Sequence, residues 1–279
     1  MVDYRNCAGS QHFNTGVSKC PIDPDKIKGI ILVQHGYKLP TTLTAEALKE
    51  ACHADKPARL LPIKNIVEYA TSGGEAQVSA VGYGPNRVTG YSARTDTFTV
   101  GEYDMALRAN LANAKNVLFD MYAYDANNII YGCDDGTENL AGIELSGVYP
   151  GGQEWDSSGT EANLTVNVMF KDVEKYMKNA DAISVDFDVD NAVEGLVYVD
   201  LVETSTSGSY KLIEHFGHLD VTSYYGEALA SAAATVILGA TSATYDSSNV
   251  SVAVVGNPTG LAAPSVLFAN DIEGIEGFA

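Results

Sequence analysis

Asp186-Phe187-Asp188-Val189-Asp190 is the densest run of chemically capable side chains in the sequence. In an extended strand, acids two residues apart line one face, with Phe187 and Val189 on the other. Such a face could hold a cation or present a wall of negative charge. A twelve-residue calcium loop needs glycine at its sixth position and an acid at its twelfth. Counted from Asp186 those positions are Asn191 and Val197, so the run reads as the solvated or lumen-facing edge of a strand.

The other reactive types are scattered. His12, His35, His53, His215 and His218 fall into no metal or triad spacing; His215-Phe216-Gly217-His218 is not H-E-x-x-H, and there is no G-x-S-x-G. Cys7, Cys20, Cys52 and Cys133 form no C-x-x-C pair. Cys7, His12 and Cys20 match no zinc finger or knuckle, and adjacent Cys52 and His53 would point apart on a helix. Gly82-Tyr83-Gly84-Pro85-Asn86-Arg87 lacks the third glycine of a dinucleotide fingerprint and the Gly-Lys-Ser/Thr of a P-loop, and a Thr-rich strand follows it. It reads as a bend between strands. Arg87 and Arg94, with Asp96 nearby, suit inter-strand or inter-subunit ion pairs. No catalytic, metal or cofactor-binding residue is assigned, and an enzyme is not expected.

Charge narrows the classes further. The 279 residues carry 17 Lys and Arg against 36 Asp and Glu, a formal charge of −19. Residues 1–120 are nearly balanced at +1, and residues 121–279 hold −20. A broad basic surface for phosphate binding is therefore excluded. With 46% hydrophobic residues the chain can bury a core. No apolar run is long enough for a membrane-spanning helix. The opening residues show no apolar run behind a basic one, so no secretory signal is expected and synthesis in a cytoplasm is.

Several elements must position these residues. Residues 1–25 are rich in turn formers and read as an extended arm. Residues 26–203 read as a β-rich core and 204–279 as a small second β module. Strands are expected at Ile30–Val33, Ile63–Tyr69, Gln77–Val81, Thr95–Val100, Asn116–Asp125, Ile129–Tyr131, Leu140–Val148, Leu164–Phe170, Ile183–Val189 and Leu196–Val202. Beyond the turn-rich 204–209, four short runs follow: Tyr210–Phe216, Ala233–Leu238, Val250–Val255 and Ser265–Phe268. Helices are expected over Ala45–Asp55, Tyr103–Ala114 and Lys171–Ala180; Ala228–Ala234 could also be helical. The long Gly-rich loop Tyr149–Thr160 carries the single tryptophan, Trp155. The expected fold is mainly β (α+β): a sandwich or barrel-like core with two or three short helices, then an immunoglobulin-like β-sandwich.

The block Ser79–Ser92, the strand-turn-strand Phe119–Leu140 with its Asn127-Asn128-Ile129-Ile130-Tyr131-Gly132 turn, and Leu164–Val189 together resemble structural proteins of tailed-bacteriophage virions, most closely tail tube subunits. The resemblance spans roughly Ile27–Val202. It implies a homo-oligomer of stacked rings, made in the host cytoplasm and built into the virion with other virion proteins. DNA would be only transiting cargo, with no membrane insertion. The lumen of such a tube is commonly acidic, which makes Asp186, Asp188 and Asp190 candidates for its face. Arg87, Arg94 and Trp155 become candidate inter-subunit contacts. Alternatives are a neck ring, a capsid auxiliary or head-decoration protein and, less in keeping with the sequence, a soluble enzyme.

Overall fold

The computed structural model describes residues 2–3, 23–40, 42–152, 155–157, 159 and 161–278. Cys7, His12, Cys20 and most of the expected arm lie outside them. The chain divides into two units: residues 1–48 with 60–193, and residues 49–59 with 194–279. The strand Val197–Glu203, expected in the core, thus belongs to the second unit.

The first unit is built on a twelve-stranded sheet. Its strands are β1 (Val2–Asp3), β2 (Ile27–Gln34), β3 (Lys38–Pro40), β4 (Leu61–Ile63), β5 (Ile66–Gly73), β8 (Arg94–Val100), β9 (Phe119–Asp125), β10 (Ile129–Asp134), β11 (Asn139–Ala141), β12 (Ile143–Pro150), β13 (Leu164–Phe170) and β14 (Ala180–Ser184). A separate two-stranded ribbon joins β6 (Ala76–Ser79) to β7 (Arg87–Tyr91). The main order runs β1-β14-β10-β9-β12-β13-β8-β5, with β2 on β9 and β4 on β2. β12 joins two wings. Ile143 and Glu144 pair with β9, and from Leu145 onward, with an irregularity between Leu145 and Gly147, the strand pairs with β13. Strict alternation of burial along β13 and β8 sends Leu164, Val166, Val168, Phe98 and Val100 into a core shared with Ile30, Leu32 and Met121. Burying such side chains stabilises by about 1.5–3 kcal/mol each.

Helices α1 (Ala45–Cys52), α2 (Met105–Asn113), α3 (Val173–Asn179) and α4 (Val189–Ala192) punctuate this part of the chain. Asp104 starts α2 by accepting from the Ala106 and Leu107 amides, and Asp172 starts α3 through the Lys175 amide.

The second unit holds one five-stranded sheet, β17 (Ile237–Asp246)-β18 (Ser251–Leu261)-β16 (Ser209–Glu214)-β15 (Val197–Glu203)-β19 (Ile275–Gly277), the last pair parallel. Helices α5 (Thr222–Ser231), α6 (Ala233–Val236) and α7 (Pro264–Phe268) contribute Leu229, Val236 and Leu267 to its core, against Leu212, Val252 and Ile275.

These observations correct the expected fold class. The structure is a mixed α+β fold with seven helices among the described residues, and its sheets are open. The second unit has one sheet covered by helices, not two facing sheets. The extra helices have local causes. Pro264 pre-sets the first helical φ of α7, where a strand was expected. The alanine-rich stretch before Ile237 favours helix over the expected strand. Asp188 caps α4. No helix among the described residues is long and apolar enough to cross a membrane.

Gly29 of β2 pairs with Tyr124 of β9, whose side chain lies close over it. A Cβ there would overlap the hydroxyl oxygen of Tyr124. That side chain is fully buried and donates to Asp190 Oδ1 at 2.8 Å. Gly29→Ala is expected to displace the ring and destabilise the protein by about 1–3 kcal/mol in urea unfolding.

Candidate functional site

Of the sequence-selected residues, Asp186 lies in a bend and is exposed. Asp188 is exposed and caps α4 through the Asn191 amide. Asp190 sits in the first turn of α4, half-buried, bonded to Tyr124 and 4.0 Å from the Lys64 ammonium. The expected strand ends at Ser184, so the three acids share no strand face. The physical reason is local: an aspartate followed by a short polar turn competes for the backbone amides and starts a helix. Arg87 opens β7 and is exposed, and Trp155 is 77% exposed.

Arg94 is not a free contact residue. Along β8, Asp96, Phe98 and Val100 all point inward, so a carboxylate lies on the apolar face at 3% exposure. Burying it is costly unless it is paired and hydrogen-bonded. Arg94 supplies a bidentate partner, Nε to Oδ1 at 2.8 Å and Nη2 to Oδ2 at 2.9 Å. The Tyr69 hydroxyl at 3.0 Å and the Thr71 hydroxyl at 2.8 Å, both from β5, also donate to Asp96. The guanidinium carbon lies 4.6 Å from the Phe170 ring centroid and 5.3 Å from that of Tyr176. Burial alone would lower the Arg94 pKa, but the bonds and charge of Asp96 outweigh it and raise it. Tyr69 is raised by burial and by the Asp96 charge.

This network forms one wall of a pocket of about 300 Å³ in the first unit. Ile27, Phe98, Met121, Tyr131 and Phe170 line its apolar part, and Pro24 and Asp25 stand exposed at its rim. Because Arg94 and Asp96 neutralise each other, the wall offers aromatic surface with no net charge.

A second cavity of the same unit, about 250 Å³, carries the titratable groups. His35 Nδ1 lies 2.8 Å from Asp120 Oδ1, and the Gly36 amide donates to Asp120 Oδ2 at 2.7 Å. Such a pair can orient an imidazole for proton transfer. Cys133 also lines the cavity, but burial pushes its thiol up to about 12, and the thiolate is the nucleophilic form. Ion pairs line it, Lys38 with Asp135 and Lys175 with Glu144, and Glu144 also meets Lys171. The bond from Lys38 brings Asp135 down to about 2, and the bond from Lys175 lowers Glu144.

The first unit also carries an unusual free element. β5 is the sheet edge, and all its residues from Val67 to Ser72 are exposed. Beyond it the chain bends at Gly73, whose φ of +80° suits glycine and where a Cβ would overlap the Ala93 carbonyl oxygen. The ribbon β6–β7 then projects, exposed along β6 and almost all of β7. Its tip closes with the Gly84 amide on the Val81 carbonyl at 3.0 Å and a positive φ at Gly82. Val81 is 92% exposed, and Tyr83 is as exposed as a free residue.

In the second unit, acids near the C-terminal strand have partners. Arg59, 5% exposed, grips Glu276 through both terminal nitrogens, at 2.5 and 3.2 Å; Lys49 pairs with Glu273. His53 Nε2 accepts from the Gly274 amide at 2.8 Å, so Nδ1 carries the proton and donates to the Lys49 carbonyl. Both imidazole nitrogens are thereby committed to backbone. His215 Nδ1 lies 2.7 Å from Asp200, with its ring stacked on Phe278.

No family model matches the sequence, and no curated protein matches it significantly.

Two outcomes are expected. Asp96→Asn leaves the Arg94 charge uncompensated and should cost about 3–5 kcal/mol in denaturant unfolding. Asp135 and Glu144 both have lowered folded pKa values, so their contribution is present above the ordinary carboxylate range and lost as pH falls through the folded values. The thermal midpoint should therefore drop as pH falls from about 5 toward about 2, and Lys38→Ala should flatten that drop.

Proposed function

We propose that this chain is a self-assembling structural subunit of a tailed-phage virion, most like a tail tube or neck-ring protein. In that role copies form rings that act as a conduit for DNA. The observation that carries the reading is the open edge of β5 continued by the projecting ribbon Ala76–Tyr91. A long exposed edge with apolar side chains invites pairing with another chain. Val67, Val78, Val81, Tyr83 and Val88 are each more than half exposed there. Contiguous exposed apolar surface of this kind marks interaction sites.

Charge supports the same role. A wall of negative charge repels DNA phosphates and lets the polymer slide. The −20 of residues 121–279 supplies such charge, and Asp186 and Asp188, both exposed, remain candidates for that wall. Asp190 is committed to Tyr124 and does not contribute to it. Arg94 is held by Asp96 within the chain, which leaves the exposed Arg87 and Trp155 as inter-subunit contacts of this assembly. The head-decoration alternative places the same acidic surface on the outside of a particle.

Purified protein is expected to form rings or hollow tubes in negative-stain electron microscopy. Assembly should strengthen as sodium chloride rises from about 0.05 M to about 0.5 M, because screening relieves repulsion between copies at −19. A protein that remains monomeric throughout that range would refute this reading, and one that binds isolated heads without forming rings would favour decoration.

A further inference from the structure

Two features of the first unit have complementary properties. One is the ribbon tip, with Val81 at 92% exposure and Tyr83 fully exposed. The other is the pocket of about 300 Å³ beside Tyr69 and Arg94. The tip does not fill the pocket of its own chain, since its side chains stand in solvent. We infer that the ribbon tip of one copy docks into the aromatic pocket of a second copy, head to tail. This rests on the proposed self-assembly and names the contact that would drive it.

The chemistry fits on three counts. Tyrosine combines a large apolar ring with a hydroxyl and loses little entropy on docking, which suits it to anchor an interface. The pocket presents apolar walls in Ile27, Phe98, Met121 and Phe170, while its Arg94–Asp96 pair is internally compensated. A guest therefore needs no charge of its own at depth. At the mouth the charges match. The only formal charge on Ala76–Tyr91 is the positive Arg87, whereas the exposed Asp25 stands on the pocket rim. Copies at −19 repel each other over most of their surface, so a ribbon without acids is the part that can approach.

Tip and pocket are different surfaces of one chain, so a contact made once between each pair of copies is heterologous. Such contacts repeat from copy to copy and close into a ring where the rotation permits. Arg94 pairs with Gly73 at the base of the ribbon. From Ala76 the extended chain to Val81 carries the tip roughly 15 Å farther out, at about 3.3 Å per residue.

The test is complementation between two variants. Tyr83→Asp removes the tip and leaves the pocket. Ile27→Trp fills the pocket from a half-buried position and leaves the tip. Self-association of each variant alone, by analytical ultracentrifugation, is expected to weaken roughly 30-fold or more. An equimolar mixture retains one good tip and one good pocket, so it should give a one-to-one heterodimer and nothing larger. Thermal unfolding and circular dichroism of each variant check that the fold is kept. A Tyr83→Cys chain mixed with a Tyr69→Cys chain is a second measurement. With copper phenanthroline and dissolved oxygen as the oxidant, it should give a disulfide-linked dimer that neither single variant gives alone.

The failures are distinguishable. If the wild type assembles and Tyr83→Asp assembles equally well, the tip–pocket contact is wrong while the self-assembly reading stands. If folded variants fail to associate yet their mixture forms no heterodimer, and the cysteine pair does not cross-link, the head-to-tail geometry is wrong. If the wild type never associates, both fall.

Discussion

A carboxylate on the apolar face of a strand sets the terms for much of the first unit. Asp96 points inward beside Phe98, and its charge must be met within the fold. Four donor contacts from Tyr69, Thr71 and Arg94 converge on it. Two of the donors come from β5, so the edge strand is tied to its neighbour by side chains as well as by the backbone ladder. Arg94 in turn lies against Phe170 and Tyr176, which connects β8 to β13 and α3. Removing one partner leaves the other buried and unpaired, which is the costly direction for such pairs.

That compensation has a consequence for the surface. With its charges satisfied internally, the pocket beside them is an aromatic recess rather than an ionic one. The edge strand held by the same network leads through the Gly73 bend into the ribbon. One wall of the recess and the whole projection thus belong to one long hairpin, with a buried ion pair at its base. An exposed edge of this length is a liability for a protein that stays alone, and the proposed self-assembly would remove it.

The second unit meets its charges differently. Its core is apolar, and its acids near the C-terminal strand are met by Arg59, Lys49 and Lys56 from residues 49–59. His53 holds the Gly274 amide in the same region, across 221 positions of sequence. These long-range contacts make residues 49–59 part of a unit whose other residues begin at 194.

Much of this was open to the sequence. Alternation in Thr95–Val100 and Leu164–Phe170 identifies both strands and their inward residues, because a half-buried strand has a strict period of two. The same alternation puts Asp96 on the buried face with Arg94 two residues away on the same side, a signal that the pair is internal. The ribbon bend at Gly82–Pro85 is legible from its glycines. Asp186–Asp190 shows the limit: its spacing fits a strand, yet Asp188 found backbone amides to cap and Tyr124 reached Asp190 from a distant strand. Strand spacing and helix capping use the same short polar residues, and only the neighbours decide between them. The open sheet, the single-sheet second unit and the partners of Glu273 and Glu276 likewise depend on contacts between residues far apart in the chain. Local pattern determined which residues turn inward. Tertiary structure alone decided what they meet there, because burial and pairing energies belong to the assembled surroundings and not to the sequence of neighbours.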